Sequence, residues 1–319
     1  MKILFGYDGS PCSDAAAHEL RWAGLPPGGE AVALSAAEAW PHVPDVADKP
    51  EGRARGRDYP FSSPTLLAAR AIFVHAKAEA EALCRTGAER LREALPSDWS
   101  VREAAATVSP SSALLHAADS LRPDLIVVGS HGRSAAGRMF LGSVSHAVLV
   151  HAASSVRVGR GRRAEDQTLR LLIGFDGSEH ALEAVRVVTG RRWPAGTEVR
   201  VVTAVPRLGD VEGAPDALLE RLDPVTATLR ASGALAVSGA VHEGEPRQVL
   251  TAVAEDMAAD CIFLGARGLS TLQRLLIGSV STAVAMRAHC TVEVVRPRLA
   301  AEPGSSGTDA VEAGRDAAP

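Results

Sequence analysis

The sequence predicts an α/β protein built from two successive copies of one parallel-sheet unit, and three observations carry that prediction. Residues 129–144, GSHGRSAAGRMFLGSV, return at 265–280 as GARGLSTLQRLLIGSV, and 12 of the 25 positions in 124–148 match their counterparts in 260–284. Self-similarity at a fixed offset marks an internal repeat. Short apolar runs alternate with helical stretches in the same order through both copies, the pattern of βαβ units on a parallel sheet. The 319 residues, 46% of them hydrophobic, suffice for two cores.

Each copy opens on an apolar run that ends in Asp-Gly-Ser: KILFGY at 2–7 before Asp8, and LRLLIGF at 169–175 before Asp176. Apolar runs without alternation fit strands buried on both faces. Ser10 before Pro11, and Ser178 before Glu179, are helix starts, because a side-chain oxygen serves free amides and a proline or acid suits the first turn. Helices are expected over 11–23 and 179–190. Second strands follow at 31–37 and 198–205, helices over 65–95 and 215–232, and third strands at 100–106 and 234–241. Helices over 110–121 and 246–258 lead into the fourth strands, DLIVVG and DCIFLG. Past the glycine segments, helices start at Ser143 and Ser279, and strands at 154–158 and 291–295 close the copies. Two domains are expected, 1–160 and 168–297, with a short linker near 159–167. The composition of the tail, 298–319, predicts disorder.

The register shows where the copies differ. Asp8 and Asp176 lie 168 positions apart, whereas the glycine segments lie 136 apart, so the first copy carries 32 extra residues. Most are expected in 41–64, a stretch rich in Pro, Gly and charge, as a surface loop or as a lid over the first site.

Composition excludes several classes. A net charge of −4 argues against an extended basic surface for nucleic acid. Arg157, Arg160, Arg162 and Arg163 form a local cluster, read as a solvated linker rather than a polyanion contact. The opening MKILFGYDGS reaches a turn too soon for a signal peptide, and no run approaches the roughly 20 apolar residues of a membrane helix. Cys12, Cys84, Cys261 and Cys290 have no Cys-x-x-Cys spacing, which predicts reduced structural thiols. The expectation is a cytoplasmic protein without membrane or nucleic-acid partners.

The glycine segments carry the functional reading. Binding of a phosphate by main chain needs amides aimed at one point with no Cβ in the way. Gly129 and Gly265 end strands at the carboxyl edge of a parallel sheet, where such sheets place ligands. Gly132 and Gly268 are free to take positive φ and curl the loop into a nest. Gly142-Ser143 and Gly278-Ser279 begin helices whose first amides favour an anion. Val144 and Val280 extend that turn, and the hydroxyls of Ser143, Ser145, Ser279 and Ser281 add donors. Within the loops, His131 reads as a phosphate contact or a solvated side chain, and acid–base catalysis is the weakest reading for want of a partner. Arg138 and Arg274, kept in both copies, either neutralise phosphate or lie solvated.

The glycine spacing, the Asp-Gly-Ser turn and the closing strand together resemble the universal stress protein family in its tandem form, over 1–160 and 168–297. The resemblance implies two Rossmann-like domains of the adenine nucleotide alpha hydrolase-like type, each a five-stranded parallel sheet of order 3-2-1-4-5. It implies ATP bound across strands one and four of each half. By position, Asp8 and Asp176 would sit beside the nucleoside or a phosphate-bound Mg²⁺, and Ala37 and Val205 would offer backbone bonds to adenine. The expected role is nucleotide-dependent regulation through an unknown protein partner; a slow Mg²⁺-dependent ATP hydrolase or adenylyl-transfer enzyme is the alternative. Departures from the family pattern fall where the first half reads GRSAA (132–136) and the second GLSTL, so Arg133 faces Leu269. Because His131 and Arg133 face Arg267 and Leu269, the first site is expected to hold triphosphate more tightly.

Family members pair through the last strand, so the resemblance implies an intrachain pseudo-dimer of the two halves, with further homo-oligomers open. The register aligns Val156-Arg157-Val158 with Val292-Glu293-Val294. Antiparallel pairing there would bring Arg157 against Glu293, a cross-strand pair contributing roughly 0.2–1 kcal/mol.

Overall fold

The computed structural model describes residues 1–38, 64–132, 141–161, 167–205, 219–233, 235–268 and 277–297. The first half runs β1 (Lys2–Gly6), α1 (Pro11–His18), a 3-10 turn (Glu19–Trp22), β2 (Gly28–Ala36), α2 (Pro64–Ala94), β3 (Asp98–Ala106), α3 (Pro110–Leu121), β4 (Leu125–Gly129), α4 (Ser143–His151) and β5 (Ser155–Gly159). The second runs β6 (Arg170–Gly174), α5 (Glu179–Thr189), β7 (Glu198–Val205), α6 (Asp223–Ala231), β8 (Ala236–Glu243), α7 (Pro246–Asp256), β9 (Cys261–Gly265), α8 (Ser279–Arg287) and β10 (Thr291–Val295). Both Ser caps form: Ser10 Oγ accepts from the Ser13 amide and Ser178 Oγ from the Ala181 amide, each at 3.2 Å. No helix among the described residues is long and apolar enough to cross a membrane.

Within each half the strands are parallel and ordered as expected, but the halves do not form separate sheets. They share one ten-stranded sheet, β3-β2-β1-β4-β5-β10-β9-β6-β7-β8, joined by antiparallel pairing of β5 with β10. The register sets Val158 opposite Val292, Arg157 opposite Glu293 and Val156 opposite Val294. Because the join is antiparallel, the carboxyl ends of the two sets of strands open on opposite edges of the sheet.

The period-2 pleat then sorts the seam. Val156, Val158, Val292 and Val294 enter one apolar core that continues through both halves beneath α3, α4, α7 and α8. The opposite face holds two separate cores, one under α1 and α2, the other under α5 and α6. Between them, on that face, Arg157 and Glu293 meet.

Their environment differs from that of an exposed cross-strand pair. Arg157 is 4% and Glu293 0% exposed, with Arg157 Nη1 3.0 Å from Glu293 Oε2. A third member, Arg191, was not foreseen: its Nη1 donates to Glu293 Oε2 at 2.9 Å and its Nη2 to Oε1. Arg191 also donates to the Ala23 carbonyl of the first half at 3.1 Å and lies over the Phe263 ring. Burial works to raise the Glu293 carboxyl, but Arg191 and Arg157 together hold it below its ordinary value. Removing one partner of a buried pair strands the others, so the relevant magnitude is about 3–5 kcal/mol rather than that of an exposed pair. The solvated-linker reading of the arginine cluster is corrected here as well. Arg157 is in the core of the seam and Arg160 donates to the Ala285 carbonyl of α8 at 2.8 Å; Arg162 and Arg163 lie outside the described residues.

Among the described residues α2 runs 31 residues and α6 nine, with 206–218, ahead of α6, outside the described residues. Of 41–64, only Pro64 is described, and it opens α2; the tail expectation falls wholly outside the described residues. All four cysteines are free, and burial pushes the Cys261 thiol up to about 12, so it is inert at neutral pH.

Glu293→Ala should lower unfolding free energy by about 3–5 kcal/mol, and a double-mutant cycle on Arg157 and Glu293 should return a coupling above ~1 kcal/mol; additive effects would contradict the buried triad. Because the folded Glu293 pKa is depressed, its contribution is present above the unfolded carboxylate value of about 4.3 and is lost as pH falls through the folded value. Urea titrations from pH 6 to pH 3 should show that loss, reduced in Glu293→Gln.

Candidate functional site

At the end of β1 the chain must turn sharply into α1, and Asp-Gly-Ser does so in both halves. Asp8 Oδ1 accepts the Ser10 amide and Asp176 Oδ1 the Ser178 amide, each at 3.0 Å, while Gly9 and Gly177 take φ of +75° and +83°. Such Asx turns fix each carboxylate at the end of its strand, with Oδ2 turned toward Gly132 or Gly268 of the glycine loop. The capping serines also reach the glycine loops: Ser10 Oγ donates to the His131 carbonyl at 3.2 Å and Ser178 Oγ to the Arg267 carbonyl at 3.3 Å.

The glycines act by close approach, not by handedness. Gly132 and Gly268 are absent from the positive-φ residues, which corrects the expectation of a left-handed curl. A Cβ on Gly132 would lie 2.9 Å from Asp8 Oδ2, and one on Gly268 2.5 Å from Asp176 Oδ2. A Cβ on Gly129 would meet the α1 backbone at 2.8 Å, and one on Gly265 the α5 backbone at 2.5 Å. These four positions therefore let carboxylate, loop and helix start converge.

The loops close on themselves through the main chain. The Gly142 amide donates to the Ser130 carbonyl at 2.8 Å and the Gly278 amide to the Ala266 carbonyl at 2.6 Å. Gly142 and Gly278 are the caps of α4 and α8, and neither helix start has a side-chain cap. Among the described residues, the first-turn amides of Ser143, Val144 and Ser145, and of Ser279, Val280 and Ser281, open their helices without a side-chain cap, the arrangement in which helix starts favour anions. The expectation for Ser145 and Ser281 changes: their buried hydroxyls donate to the Gly129 and Gly265 carbonyls at 2.6 and 2.7 Å, tying helix to strand.

In the first half these groups line a cleft of about 850 Å³. Its floor is the carboxyl edge of β1 and β4, where Asp8, Gly129, His131 and Gly132 meet the α4 start, Gly142 to Ser145. One side is the end of β2, with Ala36, Ala37 and Glu38; the facing wall is α2, with Ile72, His75, Ala76 and Glu79. Ile72 is 48% exposed, an apolar side chain turned to an open cleft. Nothing in the helical pattern of 65–95 had marked α2 as a wall. The Ala37 amide is already used, donating to the Ala106 carbonyl at 3.1 Å, and the Val205 carbonyl accepts the Gly244 amide at 2.8 Å. Each residue therefore keeps at most part of the backbone pair expected of it.

The second half repeats the convergence at Asp176, Gly265, Gly268 and the α8 start, with different neighbours. Arg267 Nε donates to His180 Nε2 at 3.0 Å, so His180 is the neutral acceptor. Burial, then Arg267 and Arg296, lower the His180 pKa, and burial, then Arg160, lower that of His131. A neutral His131 brings no charge to the first site, and Arg133, Arg138, Leu269 and Arg274 lie outside the described residues. His180 occupies the position of Cys12 in the repeat and was missed, because only one copy carries it. No group of three or more His, Cys, Asp or Glu able to hold a metal occurs among the described residues.

The model of the universal stress protein family matches residues 1–160 and 168–296. A universal stress protein of Thermus aquaticus is 33% identical over 135 residues, covering 40% of this chain and 97% of the relative. One from Mycolicibacterium smegmatis is 30% identical over 184 residues, and that alignment spans 54% of this chain and 62% of the relative. The crystal structure of a universal stress protein from Archaeoglobus fulgidus superposes with a TM-score of 0.62 at 21% identity, over 92% of this chain and 98% of its own. That likeness is one of fold.

Gly129→Ala and Gly265→Ala should each cost about 1–3 kcal/mol, since backbone must move. Gly142→Ala, whose Cβ would meet nothing nearer than 3.4 Å, should cost far less. Equal costs by urea unfolding would contradict the close-approach argument. With both histidine pKa values lowered in the folded state, their stabilisation is present above the unfolded value of about 6.5 and declines as pH falls below it. His180→Gln should flatten the dependence of urea midpoint on pH between 7 and 5.

Proposed function

Because the chain belongs to the universal stress protein family, we propose that it binds ATP at one site in each half, 1–160 and 168–297. Nucleotide occupancy then governs its engagement with a protein partner in a cytoplasmic stress response. The observation that carries this reading is the first-half cleft, which gathers Asp8, the glycine loop and the uncapped start of α4 at one sheet edge. Bare main chain on two sides and a carboxylate on the third is a chemistry suited to a polyphosphate with its metal.

Residue roles follow from position. The amides of Ser143 to Ser145 take the phosphates, and the equivalent amides at Ser279 to Ser281 do so in the second half. Asp8 and Asp176 lie at the strand ends beside the glycine loops, where each would share a Mg²⁺ with phosphate oxygens and water. Such a metal supplies charge neutralisation to the bound triphosphate. In the first half the base lies between the end of β2 and the α2 wall, where Ile72 and Ala76 cover its face and the Ala37 carbonyl would accept from its amino group. No Cβ at Gly132 or Gly268 means the carboxylates reach the loops without displacing them.

Calorimetric titration of the full chain with MgATP should give two nucleotides per chain. Gly142→Val should remove one and Gly278→Val the other, each leaving the fold intact by circular dichroism. Ile72→Asp should weaken the first site alone, at least about tenfold if base burial is lost. No uptake by the wild type would overturn the reading.

A further inference from the structure

The two candidate sites lie on opposite edges of the sheet, yet each is tied to the helix that forms the other. In the first half, the Ser130 amide of the glycine loop donates to the Gly159 carbonyl at 3.0 Å. The next residue, Arg160, leaves its own half: its Nη2 donates to the Ala285 carbonyl, in the last turn of α8, and its amide donates to Thr291 Oγ1 at 3.2 Å. The other half mirrors this. The Ala266 amide donates to the Val295 carbonyl at 2.8 Å, and Arg296 then crosses over. Its Nη2 donates to the Leu149 carbonyl in α4 at 2.6 Å, its Nη1 to the Ser154 carbonyl at 3.1 Å, and its amide to Ser155 Oγ at 3.0 Å.

Leu149 and Ala285 hold the same place in the repeat, as do Arg160 and Arg296. The antiparallel join produces this crossing. A helix that starts at the carboxyl edge of its own half ends beside the carboxyl edge of the other, where the last strand delivers an arginine. α4 and α8 are nine residues each, about 13 Å of rigid helix.

We propose that Arg160 and Arg296 couple the two nucleotide sites, each transmitting occupancy of its own glycine loop to the C-terminal end of the helix whose N-terminal amides bind nucleotide in the other half. The proposal rests on the reading of both loops as nucleotide sites. Its physical basis is that one helix dipole is served at both ends. An anion at the N-terminus and a guanidinium at the C-terminus stabilise the same helix position, so strengthening one favours the other.

The sign follows from Arg267. In the second half Arg296 is 8% exposed, and burial, then the charge of Arg267, bring it down to about 10. Phosphate bound at that loop offsets the Arg267 charge and so firms the grip of Arg296 on α4, which forms the first site. The coupling is therefore positive, and linkage makes it reciprocal. The first half has neutral His131 in place of Arg267, so the charge-driven step originates in the second half.

MgATP titration of the full chain tests this against the single-site variants. Affinity at the first site in the wild type, with the second filled, should exceed that in Gly278→Val by about fivefold or more. Arg296→Met should still bind two nucleotides, with that difference abolished. Arg296→Lys, which keeps the charge but not the two-carbonyl grip, should reduce it, and serves if the methionine variant does not fold. Two nucleotides bound independently in the wild type, or one per chain, would overturn the coupling and leave main-chain binding standing. Cooperativity unchanged in both Arg296 variants would overturn the arginine route. No uptake at all would overturn the nucleotide reading itself.

Discussion

The antiparallel pairing of β5 with β10, fixed by a buried Arg157–Glu293–Arg191 triad, is the constraint on which the rest of the molecule depends. Valines on one side of these strands merge the cores of both halves, and the charges on the other side allow one register. A slip by one residue would put Arg157 into the continuous apolar core and leave Glu293 without its partners, at a cost of several kcal/mol. Opposite charge at equivalent repeat positions also favours pairing of unlike strands, first with second, over pairing of identical strands from two chains.

That join decides where function can sit. It sends the carboxyl edges of the two half-sheets in opposite directions, so the glycine loops cannot share one ligand. Each must complete a site from its own strands and its own following helix. In the first half α2 adds a wall to the cleft. The halves therefore share the main-chain frame proposed to bind phosphate while differing in what surrounds it: neutral His131 and the α2 wall with Ile72 in one, Arg267 held by His180 in the other.

Much of this was legible in the sequence because it is local or repeated. Strand and helix order followed from apolar runs, Ser caps and the 136-residue offset, and the Arg157–Glu293 opposition followed from extending that offset to the last strand. What the sequence hid was of two kinds. Side-chain partners brought together by the fold, such as Arg191 on Glu293 or Ser145 on the Gly129 carbonyl, leave no periodic trace. Residues present in one copy only, such as His180 and Arg191, are invisible to a comparison of copies. The glycines show a subtler gap: their necessity was clear at Gly132 and Gly268, but its cause was the proximity of an aspartate rather than backbone handedness. Arg160 and Arg296 could have been found, since they follow the closing strands at equivalent positions.

The central claim is that bare main chain at the starts of α4 and α8 grips a polyphosphate in both halves. A crystal structure of the chain grown with MgATP tests it most directly. The account predicts phosphate oxygens within hydrogen-bond distance of the amides at 143–145 and 279–281, with Asp8 and Asp176 near the metal. Density showing ATP elsewhere, or side chains filling both helix starts with nucleotide in excess, would contradict it.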